Sequence, residues 1–310
     1  MFSLNNVFYV QAGLGTLANI FLLFFYTIII LCHRSKPMDL ISCQLTFVHI
    51  IMVITGWDIF TTDMFDLLNI ENDFICKATS YLNRVMSGIS ICITCLLSVF
   101  QAVMISPNTS LLAKFKYKLK KYMIFSFFYF WSFNLSFSIN RIFYTGAYTN
   151  VSETNQLKVT KYCSIFPMDY IIKGLISTMT ALRDVFLVGV MLTTSAYMII
   201  ILFRHQRQCM HLHSDSHLRA SPEKRATHII LLLVFFYVVM YWIDFITSSR
   251  TVLLWMYDPV LLTVQKFVIN AYPTITPLIQ ISSDNRINIM IKNMQKVCHQ
   301  IFFKFNFSFI

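Results

Sequence analysis

The sequence predicts an all-α membrane protein, a bundle of seven transmembrane helices with the N-terminus outside and the C-terminus in the cytoplasm. Three observations predict it. Seven apolar stretches, each long enough to cross a bilayer, run the length of the 310-residue chain with little polar sequence between them; a hydrocarbon core about 30 Å thick takes roughly 20 apolar helical residues. The composition agrees, with 56% of residues hydrophobic and 13% charged and a mean hydropathy of +0.62, which leaves nothing over for a separate globular domain. The charges, finally, fall in the short segments between stretches, and the basic ones gather on alternate connections, as the positive-inside rule requires.

In order, the expected spans cover 7–32, 38–60, 76–105, 122–142, 169–203, 227–249 and 261–282, followed by a tail over 283–310. They are read as helices because lipid offers the backbone no hydrogen-bond partner and none of them alternates as barrel strands do. Met1 to Asn6 carry no basic n-region and no cleavage site, so the first stretch is expected to be a retained span. Spans one and two are joined by a short turn around Pro37 and must be antiparallel neighbours. Span three is the most polar: Asn83, Ser87, Ser90, Thr94, Ser98 and Gln101 recur every three or four residues on one helical face. The inner half of that stripe reads as close helix packing with hydrogen bonds across the interface. At its outer end, packing and pocket lining both stand for Asn83 and Arg84. No internal repeat is visible and glycine is scarce, which argues against a transporter of inverted repeats; no span carries a ring-forming charge series or filter-like loop, which argues against a channel. In the tail, Ile287, Met290, Ile291, Met294 and Val297 share one helical face, with Arg286, Lys292 and Lys296 around the other, the pattern of an interfacial amphipathic helix under the inner leaflet. Cys298 there is either palmitoylated or unmodified.

The net charge of +11 belongs to topology and anionic lipid, not to nucleic acid, because it is dispersed among short loops. Arg34 and Lys36, the run Lys114, Lys116, Lys118, Lys120 and Lys121, then Arg204, Arg207, Arg219, Lys224 and Arg225, and the tail cations define four cytoplasmic segments. Asp63, Asp66, Glu71 and Asp73 mark an outer loop. With that topology, Cys32, Cys209 and Cys298 face the reducing side, and Cys43, Cys92 and Cys95 lie within spans. Cys76 and Cys163 remain at the oxidising face as the one expected disulfide, closing a loop worth roughly 4 to 5 kcal/mol in the chain-entropy picture. Of four glycosylation sequons only Asn150 is outside; Asn134 lies in a span. Cys92 and Cys95 form a C-x-x-C, read inside an apolar helix as packing. The histidines His205, His211, His213 and His217 have no metal-ligand framework, and no metal or cofactor is expected.

Charges within or bordering spans are Asp58, Arg84, Arg183, Asp184, Asp244 and Lys266. Each costs about 2.5 to 3.5 kcal/mol near the bilayer centre on insertion scales, so each is expected at an interface or facing the interior. All lie toward the outer half. Asn83, Arg84, Ser87, Arg183, Asp184, Tyr241 and Asp244 are the candidate ligand-binding residues, where an aromatic, apolar lining meets a few polar groups. Arginine suits bidentate capture of a carboxylate, sulfate or phosphate, so the expected ligand is anionic or rich in acceptors. Successive residues do not share a helix face, and Asp184 is therefore expected to pair across helices with Arg84.

Several motifs narrow the class. His33 to Leu40 (HRSKPMDL), Tyr81 to Val85 (YLNRV), Thr94 to Ala102 (TCLLSVFQA) followed by Ile105-Ser106-Pro107, Phe203-Arg204-His205, Ser221 to Thr227 (SPEKRAT) and Tyr272 to Pro277 (YPTITP) resemble vomeronasal type-1 receptors, a family of G-protein-coupled receptors, over essentially the whole chain. The resemblance implies a plasma-membrane pheromone receptor of vomeronasal sensory neurons, coupled to a Gi/Go-type heterotrimer, binding a small-molecule chemosignal and having no enzyme activity. A bitter-taste-type receptor is the alternative within the architecture. The expected G-protein face comprises Gln101, Lys114, Lys116, Lys118, Arg204, Glu223, Lys224 and Arg225. Gln101 stands where rhodopsin-like receptors carry the arginine of Asp-Arg-Tyr, and Thr276-Pro277 with Gln280 replaces Asn-Pro-x-x-Tyr. His49 occupies the place of the span-two sodium-site aspartate, while Asn19 matches the polar residue of span one. Within the vomeronasal pattern, Asn83 replaces a more usual histidine and Arg183 stands where many members have proline.

Overall fold

The computed structural model describes residues 4–32, 36–56, 73–107, 116, 118–147, 157–158, 163–166, 169–212, 231–243, 245–246, 259–290 and 292. The seven helices of the bundle are α1 (Leu4–Leu31), α2 (Pro37–Gly56), α3 (Asp73–Ile105), α4 (Leu119–Phe137), α5 (Tyr170–Leu212), α6 (Leu231–Ile243) and α7 (Pro259–Ser283). Each overlaps an expected stretch, and by length and composition α1, α2, α3 and α5 are long and apolar enough to cross a membrane. Two ends differ. The fourth helix stops at Phe137, where Ser138 N–H donates to the Asn134 carbonyl at 3.1 Å and Ile139 N–H to the Ser136 carbonyl at 3.4 Å, and a separate helical turn, Asn140–Tyr144, follows. The fifth continues past Phe203 to Leu212, 43 residues in all; at 1.5 Å per residue it is about 65 Å long and overruns a bilayer by several turns. Around α6, residues 227–230, 244 and 247–249 lie outside the described set.

α3 is the axis of the bundle. It packs against α2, α4 and α5, and Val85, Ile89, Ile93, Leu97 and Phe100 are buried along it. Outward-facing positions on the other helices are apolar and bare, Leu17, Phe24, Phe128 and Phe186 among them, so the hydrophobic share of the composition is distributed between core and lipid-facing surface.

α1 and α7 meet by close approach. A side chain at Gly15 would run into Thr274 Oγ1, and four residues on, the buried Asn19 amide donates to the Gly15 and Pro273 carbonyls, each at 2.8 Å. Pro277 explains the second bond. Having no N–H, it leaves the Pro273 carbonyl without its intrahelical donor, and Asn19 fills the vacancy from the neighbouring helix.

The connection after α4 holds a feature the helical reading did not anticipate: three short strands, β1 (Thr145–Ala147), β2 (Leu157–Lys158) and β3 (Cys163–Ile165), antiparallel in the order β1-β3-β2. Thr145 pairs with Ile165 and Ala147 with Cys163. Cys163 is bonded to Cys76 at the head of α3, with Cα atoms 5.7 Å apart. A side chain at Gly146 would meet the Phe166 ring and the Asp73 carboxylate, so only glycine lets the sheet lie this close to α3.

The tail corrects one expectation. Asp284 caps a further turn over 285–290, its carboxylate accepting from Arg286 N–H at 2.8 Å. Ile287 is then fully buried against Leu22, Phe25 and Tyr26 of α1, with Met290 packed on the same cluster. The described part of the apolar face thus rests on α1 instead of on lipid, because α1 offers an apolar patch at that height. Ile291, Met294 and Val297 lie outside the described residues.

Candidate functional site: a cleft among four helices

A cleft opens between α3, α5, α6 and α7. From α3 it receives Arg84, Ser87, Ser90 and Ile91; from α5, Arg183 and Asp184; from α6, Tyr237, Met240 and Tyr241; from α7, Val268, Ile269 and Tyr272; Met52 of α2 closes one side. Its enclosed volume is only about 70 Å³, several-fold below the ~300 Å³ at the lower end of ligand pockets. A ligand of more than a few atoms must therefore move side chains, and Met52 and Met240, unbranched and flexible, are suited to yield.

The floor is a hydrogen-bonded aromatic cluster. Tyr272 meets Tyr237 edge-on at 4.7 Å and His49 edge-on at 5.3 Å. Its hydroxyl pairs with Thr94 Oγ1 at 2.9 Å, and His49 Nε2 pairs with Ser90 Oγ at 3.2 Å. Thr94, read in the sequence as a packing residue, and Ser90 here join α3 to α7 and α2 directly beneath the cleft. Tyr237 and Tyr272 were missed by sequence reading; the available signal was that Tyr237 lies one helical turn before the chosen Tyr241 and so shares its face.

Of the seven candidate ligand residues, the structure brings five together: Arg84, Ser87, Arg183, Asp184 and Tyr241 line the cleft. Asn83 does not. Its amide turns to the end of α2, donating toward Thr55 Oγ1 at 3.3 Å and the Met52 carbonyl at 3.5 Å, because a hydroxyl and a helical carbonyl each have a lone pair to spare for a further donor. Asp244 lies outside the described residues.

The expected pairing of Asp184 with Arg84 across helices is corrected as well. Asp184 Oδ1 accepts from Arg183 Nε at 2.7 Å and lies 2.6 Å from Arg183 Nη2. Sequence neighbours on a helix diverge at Cβ, but an arginine is long enough to curl back when its far end is held. Asn134 of α4 holds it, accepting from Nη1 at 3.1 Å. With three nitrogens committed, Arg183 is not the open anion receptor that its charge suggested.

Toward the end of α3 expected to face the cytoplasm, Ser106 Oγ meets Tyr197 OH at 3.0 Å and Ser98 Oγ meets Thr194 Oγ1 at 2.6 Å, binding α3 to the middle of α5. Gln101 is buried in α3, whereas Lys118 and Arg204 are exposed. Lys116 donates to the Ser106 carbonyl at 2.7 Å, a cation on the C-terminal end of α3. Lys114, Glu223, Lys224, Arg225 and the sequon at Asn150 lie outside the described residues. Asn134, the in-span sequon, is buried. Cys92 and Cys95 are free and buried, and among the described residues no three His, Cys, Asp or Glu side chains form a metal-binding group.

Sequence reading also passed over Asp39 at the start of α2. Its carboxylate is buried, accepts from the Lys36 backbone N–H at 2.8 Å, and takes Arg286 Nη1 and Nη2 at 3.1 and 2.8 Å. Those hydrogen bonds, with Asp284 beside them, hold the Arg286 guanidinium above its already high ordinary range.

A seven-helix bundle with a disulfide from the head of α3 to the connection after α4 and a cleft among α3, α5, α6 and α7 has the rhodopsin fold. The crystal structure of squid rhodopsin superposes with a TM-score of 0.71 at 14% identity, over 94% of this chain and 80% of that one. Residues 2–293 match the vomeronasal organ pheromone receptor family. Vomeronasal type-1 receptor 90 of Rattus norvegicus is 38% identical over 290 residues, covering 93% of each chain. Vomeronasal type-1 receptor 45 of Mus musculus is 36% identical over 288 residues, covering 92% of this chain and 90% of the relative. The chain belongs to the vomeronasal type-1 receptor family: it is a membrane receptor of the G-protein-coupled class, and not an enzyme.

Proposed function

We propose that this receptor stands in the plasma membrane of vomeronasal sensory neurons with its N-terminus outside, binds a small chemosignal in the cleft between α3, α5, α6 and α7, and couples through the inner ends of α3, α5 and α6 to a Gi/Go-type heterotrimer. One observation carries the reading: the cleft combines aromatic and apolar walls with a few convergent polar groups, and its floor connects α3 to α2 and α7. A ligand that displaces Met52 and Met240 and reaches the floor meets Tyr272 and its partners, and such a ligand changes the balance of receptor states only as far as its affinity for them differs. Gi/Go coupling and neuronal location rest on the sequence resemblance. The test is to screen the expressed receptor against fractionated secretions with matched Gi, Gs and Gq readouts. A response confined to the Gi readout and abolished by Tyr272→Ala at normal surface density is the expected result. A Gs-only or Gq-only response removes the coupling assignment, and a response indifferent to Tyr237, Tyr241 and Tyr272 removes the cleft.

A further inference from the structure

Arg183 and Asp184 follow one another on α5, a spacing that directs side chains about 100° apart around a helix. Their contact therefore needs something outside α5 to hold the guanidinium. α4 supplies it twice: Asn134 Oδ1 accepts from Arg183 Nη1 at 3.1 Å, and the Phe137 ring lies 5.5 Å from the guanidinium carbon. Asn134 is itself fixed, fully buried, with its amide nitrogen donating to the Phe130 carbonyl at 2.8 Å and to the Cys92 sulfur at 3.7 Å. α3 supplies the room. A Cβ at Gly88 would overlap Asn134 Oδ1 and lie 3.1 Å from Arg183 Nη1. Each guanidinium nitrogen is thus engaged, two by Asp184 and one by Asn134.

We propose that Gly88 and Asn134 are positioning residues: together they form a guanidinium seat between α3 and α4 that fixes Arg183, and through it the Asp184 carboxylate, as a charge-neutral wall of the cleft. The proposal rests on the cleft being the ligand site, yet the seat exists without a ligand. A planar cation held by a carboxylate, an amide oxygen and an aromatic face is replaceable by a small guanidinium, and that supplies the test. Arg183→Ala vacates the seat; methylguanidinium, at millimolar concentrations below denaturing strength, is the probe.

In receptor purified into lipid nanodiscs, Arg183→Ala is expected to lower the unfolding temperature, and methylguanidinium to restore most of the loss. The same addition should leave wild type unchanged and fail in Arg183→Ala combined with Gly88→Ala, Asn134→Leu or Asp184→Asn. No restoration in Arg183→Ala, or equal restoration in the Asn134→Leu combination, overturns the seat. Should Arg183→Ala not fold, Asn134→Leu alone decides: with its anchor gone, Arg183 should react several-fold faster with phenylglyoxal, read on the labelled peptide. An unchanged rate overturns the proposal. Because neither readout uses a chemosignal, failure of the seat and failure of the secretion screen remain separate results.

Discussion

Asp39 and Arg286 form an unequal pair. The Asp39 side chain is 3% exposed and that of Arg286 41%, so the two sides of the bond differ in what removal leaves behind. Arg286→Ala strands a buried carboxylate, and breaking a fully buried pair costs about 3 to 5 kcal/mol; the half-open position of the arginine brings the expectation to about 2 kcal/mol. Asp39→Asn leaves an arginine that reaches water and still has Asp284 at 3.0 Å, and about 1 kcal/mol is expected. The double variant should be more stable than Arg286→Ala alone, since the stranded charge is gone. Thermal unfolding of the three purified variants checks the order. Equal effects from both single substitutions would mean that the pair contributes little beyond its surface charges.

At the scale of helices, the contact of α1 with α7 is a repair made across an interface. Pro277 deprives the Pro273 carbonyl of a donor, and Asn19 supplies one. Asn19→Ala should cost about 1 to 3 kcal/mol, the range for an unsatisfied buried acceptor, while Pro277→Ala returns the missing N–H to α7. Asn19→Ala should therefore be milder in a Pro277→Ala background, measured as the difference in unfolding temperature; an undiminished effect would show that Asn19 acts through another contact. Elements of this kind divide what was legible in the sequence from what was not. The seven helices were, because about 20 apolar residues in a row have few alternatives in lipid. The three strands over 145–165 were not, since two or three residues carry no periodicity. Nor was the Arg183–Asp184 pair, whose contact depends on Asn134 of another helix and on the absence of a side chain at Gly88. Asn83 and Ser87, one turn apart on the same stripe, part company because the end of α2 offers hydrogen-bond acceptors to one of them alone.

For the whole molecule the open quantity is its orientation, which charge alone assigns. Two predictions test it from opposite faces. Outside, the Cys76–Cys163 bond closes a separation of 87 residues, so Cys163→Ser should remove roughly 4 kcal/mol and most surface expression. In the intact receptor a glycosidase shift should vanish with Asn150→Gln and persist with Asn108→Gln. A glycan on Asn108 would invert the topology. Inside, Lys114 to Lys121 carry five lysines and no acid, and two roles compete for them. Attraction to anionic lipid is worth about 1 kcal/mol per lysine and depends on their number, not their order; a G-protein contact depends on where each one sits. Lys116 already departs from a purely additive role, its ammonium bound to the end of α3. Scrambling 114–121 at constant composition holds the lipid contribution fixed and displaces Lys116 and Lys118 together. Surface density should stay at the wild-type level while the maximal G-protein readout falls at least several-fold, with Lys116→Ala alone producing part of that loss. If density and readout both survive the scramble, the loop acts only as a charged collar on the membrane, and the G-protein face must be sought on Arg204 and the inner end of α5.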